Sequence, residues 1–144
     1  NGSDVNPNPA AHVFDLDLHS HSEIEMENIE YRITDATEPD ADGYFWAMNY
    51  FFPGDTELAT SLDPIAVEYG LGESHQGSET VERLIRFYID DEGIHLAGDP
   101  PIYLELLEDD SRNWEGIVQY GEGFLLATDK FPTTILAYVE APGE

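Results

Sequence analysis

The sequence predicts an all-β protein. Three observations carry this: about nine or ten short apolar runs of strand composition, turn residues roughly every 8–12 positions, and no sustained helical stripe. A sandwich, a small barrel and part of a propeller all satisfy that pattern. An internal repeat chooses among them. The stretch Asn113-Trp114-Glu115-Gly116-Ile117-Val118-Gln119-Tyr120-Gly121-Glu122-Gly123-Phe124-Leu125-Leu126-Ala127-Thr128-Asp129 reads as strand, glycine-containing turn, strand. Shifted back by 80 residues, positions 115–131 fall on Asp35 through Phe51, with Asp42-Gly43-Tyr44 over Glu122-Gly123-Phe124 and Asn49 over Asp129. Repeats at residues 35–53 and 115–132 point to two copies of one β module. The expectation is a partial β-propeller of about two four-stranded antiparallel blades over residues 12–140, with a β-sandwich as the alternative.

Composition bounds the function. With 144 residues, 41% hydrophobic and 12% aromatic, the chain is long and apolar enough to bury a core. Five basic against 31 acidic side chains give a net charge of −26 and a pI near 4.1. That field repels nucleic acid and anionic membrane, and it suits cation binding, high-salt solubility or a basic partner. Without cysteine there is no disulfide framework and no thiol chemistry. No apolar run reaches the roughly 18 residues of a membrane span. No secretory leader is read, and a start at Asn1 reads as a processed chain; the Asn1-Gly2-Ser3 sequon carries little weight at a terminus.

Residues 1–11, rich in Asn, Pro and Ala, read as a flexible arm. Residues 12–18 alternate as a half-buried strand. His19-Ser20-His21 is either a polar turn or, on a strand, two imidazoles on one face, as metal sites use. Residues 29–33 form a short strand entering the first module. Residues 44–52, Tyr-Phe-Trp-Ala-Met-Asn-Tyr-Phe-Phe, read as a central strand buried on both faces, in which Asn49 must find hydrogen-bond partners. Residues 53–79 form a long loop; 61–69 hold a short helix or an extra strand, and His75 sits in a polar segment able to present it to a ligand. Residues 79–90 are read as strand over an amphipathic-helix alternative, because Val, Ile, Phe and Tyr dominate and a turn at Asp90-Asp91-Glu92-Gly93 follows. Acids are expected to claim Arg83 and Arg86. Further strands are expected at 102–107, 117–120, 124–128 and 133–139, with a tail at 141–144. The acidic clusters Glu38/Asp40/Asp42, Asp90/Asp91/Glu92 and Glu108/Asp109/Asp110 read as solvated turns. Asp40-Ala41-Asp42-Gly43 opens like a calcium loop, but its twelfth position is Phe51 where a glutamate is needed.

Asn113-Trp114-Glu115-Gly116-Ile117 followed by Gly123 through Asp129 resembles the Glu-Gly-Ile and strand-Asp signature of the phytase-like (esterase-like) β-propeller proteins and the related SdiA-regulated propellers. The resemblance implies a secreted or envelope-associated protein with calcium as a plausible ligand. It also implies that Asp35 and Glu115 start innermost strands and face a central channel. A propeller has four to eight blades and this chain accounts for about two, so completion by another polypeptide or by self-association is expected. The functional expectation is a module that binds a ligand or partner protein within a larger assembly. The alternative is a calcium-dependent phosphate- or carboxylic-ester hydrolase with Asp35, Glu115 and Asp129 on the metal. Asn49, His75 and Trp114 are the candidate ligand contacts.

Overall fold

The computed structural model describes residues 2, 4–107 and 111–143. It is all-β, with ten strands in three open antiparallel sheets of five, three and two strands. The five-stranded sheet contains β3 (Arg32–Ala36), β4 (Tyr44–Phe51), β5 (Val81–Ile89) and β6 (Ile94–Leu96) in that order, with β7 (Ile102–Tyr103) also on β5. The three-stranded sheet runs β10 (Leu136–Glu140), β9 (Gly123–Thr128), β8 (Trp114–Tyr120). β1 (Ala10–Phe14) and β2 (His21–Glu25) form a separate hairpin. Two sheets of four strands were expected. The count differs because β5 is long enough to serve two partners, β7 beside Arg83 and Leu84 and β6 beside Phe87 to Ile89.

The aromatic run is the centre of the larger sheet. β4 pairs with β5 over eight positions, from Tyr44↔Tyr88 to Phe51↔Val81, and alternation sends successive side chains to opposite faces. Met48 and Leu84 face the three-stranded sheet and meet Trp114, Ile117, Phe124 and Leu126 in one core. Ala47, Ile85 and Phe87 face the other way, against Ile29, Ile65 and Ile94. Ala11, Ile24 and Met26 of the hairpin segment pack on this second core, making a third layer. Full burial of each large apolar side chain is worth about 1.5–3 kcal/mol.

Local chemistry explains where the elements begin and end. Residues 12–18 do not continue as one strand, because Asp15 accepts bonds from the backbone of His19 and Ser20 and from the Ser20 hydroxyl. The Ser20 hydroxyl, with those N–H groups, holds the Asp15 carboxyl below its ordinary range. The chain turns there, leaving Leu16 and Leu18 exposed. Within 29–33 the strand starts late, since Tyr31 adopts φ +69° and turns its ring onto Phe51. In the long loop, 61–69 resolves as a short helix, α1 (Pro64–Tyr69), with Asp63 bonding the Ile65 N–H, Pro64 at the first turn and Gly70 at φ +82° closing it. The turn after β5 is fastened by Asp90, which accepts from Glu92 and Gly93. Residues 102–107 give only the two-residue β7. The N-terminal arm is anchored in part: Gly2 is buried and donates to the Ile29 carbonyl at 2.9 Å, and Ala10 and Ala11 already belong to β1. Asn1, Ser3 and the Glu108/Asp109/Asp110 cluster lie outside the described residues.

The repeat appears as two bulged hairpins. The β3–β4 ladder shifts register between Ile33 and Asp35, and the β8–β9 ladder between Trp114 and Gly116. Both bulged strands are sheet edges, and they lie against each other. Thr34 Oγ1 donates to the Trp114 carbonyl at 2.7 Å, and the Ile117 N–H donates to Asp35 Oδ2 at 2.8 Å. Side chains here satisfy two edge groups that would otherwise invite another strand.

Candidate functional site

Alternation along the three-stranded sheet separates an inner from an outer face. Phe124, Leu126 and Ile117 point into the core, so Leu125, Val118 and, one strand further, Tyr138 point out, aligned by the pairs Val118↔Leu125 and Tyr138↔Leu125. Leu136 pairs with Ala127 on the same side, and Tyr120 with Gly123. This outer face is mostly apolar, yet Val118 is 55%, Tyr120 63%, Leu136 71% and Tyr138 48% exposed. At Gly123 a Cβ would run into the Val139 carbonyl and the Tyr138 ring, so the glycine lets the Tyr138 ring lie flat across β9. Exposed acids mark the ends of the strands: Glu115 and Asp129 at one end of the sheet, Glu122 and Glu140 at the other. An apolar centre with a charged rim is the anatomy of a protein-docking face.

Of the residues expected to hold metal, Glu115 and Asp129 therefore share one end of this sheet, beside the Trp114↔Thr128 pair. Asp35 lies at the sheet junction, its Oδ2 engaged by the Ile117 N–H. Among the described residues, the one group of three whose ligand atoms lie within 4.8 Å of one another is a different set, His12, His21 and Glu23.

Asn49, His75 and Trp114 serve the interior instead of a ligand surface, each at most 1% exposed. They belong to a polar spine along β5. Arg83, fully buried, donates to Asn49 Oδ1 at 2.8 Å and to both Asp63 oxygens at 2.7 and 3.1 Å. Asn49 Nδ2 in turn donates to the Glu30 and Arg32 carbonyls. Its neighbour Glu82, also fully buried, points to the opposite face and accepts from the Arg112 guanidinium, the Arg112 N–H and Trp114 Nε1. His75 Nε2 accepts from the Glu82 N–H at 3.2 Å. Burial pushes the His75 imidazole below its ordinary range, partly opposed by the Glu82 carboxylate. Protonation would also set a donor against a donor at that N–H. Burial pushes the Tyr31 phenol up to about 12, which keeps the ring near Arg83 neutral. As expected, acids claim Arg83 and Arg86, the latter through Asp99 at 3.1 Å.

A cleft of about 880 Å³ opens beside this sheet, lined by Tyr44, Trp46, Arg86, Asp99, Pro101 and Gln119 among others. Three of its charged groups, Arg86, Asp99 and Asp40, are engaged: Arg86 lies 4.3 Å over the Tyr44 ring while holding Asp99, and Asp40 accepts from the Asp42 and Tyr44 N–H groups.

No protein-family model, curated protein or solved structure matches the chain. Among the described residues no helix is long and apolar enough to cross a membrane.

The outer face was legible in part. The sequence predicts strands at 117–120, 124–128 and 133–139, but only the pairing of three strands shows that Val118, Leu125, Leu136 and Tyr138 form one patch.

Proposed function

We propose that this chain is a partner-binding β module whose outer three-stranded sheet docks an apolar surface on another polypeptide. The carrying observation is the exposed Val118, Tyr120, Leu136 and Tyr138 patch on a protein of net charge −26. Charge selects the kind of partner. Two copies each bearing −26 repel, so self-pairing is disfavoured, and the Glu115, Asp129, Glu122 and Glu140 rim favours a surface edged by Lys or Arg. The repeated bulged hairpin supports the finer reading, in which the partner supplies the next blade of a propeller-like array. A metal-assisted hydrolase reading would need Asp35, Glu115 and Asp129 together on one ion, and the Asp35 bond to Ile117 favours a structural role for that carboxylate.

The test is site-specific photo-crosslinking in an extract of the native source. A benzophenone side chain replaces Tyr138, or Phe14 on the remote hairpin as a control. The expected result is one discrete adduct from position 138 alone, lost with Leu136→Lys and mapping to an apolar, basic-edged patch on a different polypeptide. Equal labelling from both positions, or no adduct from 138, would refute the proposal.

A further inference from the structure

The β1–β2 hairpin turns opposite faces to core and solvent. Ala11 and Ile24, paired across the ladder, pack inward. The pairs His12↔Glu23 and Phe14↔His21 fall on the other face, which is exposed. His12 and His21 are therefore diagonal neighbours. His12 Nδ1 lies 2.8 Å from His21 Nε2 and 3.4 Å from Glu23 Oε1. The His12 and His21 rings stack at 5.1 Å, and Phe14 stacks on His21 at 4.9 Å and 24°.

We propose that His12 Nδ1, His21 Nε2 and Glu23 Oε1 form a binding site for a first-row divalent transition metal, zinc being the best-suited probe. A tetrahedral ion with bonds of about 2.0–2.1 Å spaces its ligand atoms roughly 3.3 Å apart. The His12–Glu23 separation matches that spacing, and the two nitrogens reach it by opening about 0.5 Å, a small rotation of two exposed rings. Two imidazoles in the donor set select zinc, copper or nickel over calcium, which takes oxygen ligands. Three protein ligands leave the fourth position to water or to a side chain from a partner. Sequence spacing gives no sign of the site, because His12 and His21 meet only through the ladder register. His19, the histidine adjacent to His21 by alternation, stands in the Asp15 turn.

The experiment is calorimetric titration of the full chain with zinc chloride, in excess magnesium so that the acidic surface is already occupied. One zinc per chain is expected. His12→Gln and His21→Gln should weaken it by more than about tenfold, a loss that removing a group hydrogen-bonded to a metal ligand already produces. Glu23→Gln should weaken it less, and His19→Gln should leave it unchanged. The hairpin face is exposed, so these variants keep the fold, and a wild-type circular dichroism spectrum verifies it. In parallel, the imidazole NMR signals of His12 and His21 should shift on adding zinc. Absence of saturable 1:1 binding, His21→Gln binding like wild type, or shifts at His19, His75 or His95 alone would overturn the proposal.

Discussion

Thr34 Oγ1 and the Trp114 carbonyl, 80 residues apart in sequence, are joined by a 2.7 Å hydrogen bond at the seam between the two sheets. Asp35 repeats the arrangement one residue on, accepting from the Ile117 N–H at 2.8 Å. Each bond is made by one copy of the repeated module to the other, and each side chain stands where a ladder partner would.

Removing either side chain should leave a backbone group at the seam unsatisfied. Thr34→Val and Asp35→Ala should each lower stability by about 1–2 kcal/mol, while Asp35→Asn, which keeps an acceptor, should cost much less. Urea denaturation of the three variants measures this. Equal losses for Asp35→Ala and Asp35→Asn would show that charge, not the acceptor, matters there.

The two arginines on β5 should behave differently despite similar ion pairs. Arg83 is wholly buried, so Asp63→Ala strands a cation in the interior and should cost about 3–5 kcal/mol. Arg86 and Asp99 are both partly exposed, and Asp99→Ala should cost less than about 1 kcal/mol. Equilibrium unfolding of the pair of variants gives the comparison directly.

Much of this was readable from the residues alone. The all-β class, the central aromatic strand and the β5 strand followed from composition and alternation, and Asn49 had to be satisfied because an amide cannot stay unpaired in such a run. Competing local chemistry hid the rest. Asp15 bends the chain where apolar alternation continues through Leu18, and the Tyr31 backbone conformation shortens β3. Trp114 and His75, expected as ligand contacts, are buried: His75 Nε2 accepts from the Glu82 N–H, and Trp114 Nε1 donates to the Glu82 carboxylate. That carboxylate looked like one of 31 exposed acids until strand pairing buried it.

His75 makes stability depend on pH in a known direction. Its pKa is lower folded than unfolded, so the unfolded chain binds the extra proton first as pH falls. The contribution is whole above the unfolded value of about 6.5 and declines as pH drops from there toward the folded value. Between pH 7.5 and 5.5, wild type should therefore lose more stability, or gain less, than His75→Gln, as read by denaturant unfolding at the two pH values. Identical pH responses would remove His75 from the account of that dependence.

The most direct test of the docking face is sedimentation velocity of the purified chain from low salt to molar salt, beside a Val118→Lys/Leu136→Lys double variant. At low salt, mutual repulsion should keep both monomeric. At about 1 M salt, where the screening length is roughly 3 Å, the apolar faces of the wild type should pair while the variant stays monomeric. A double variant that pairs at high salt to the same extent as the wild type would contradict the assignment of this sheet as the exposed apolar binding surface.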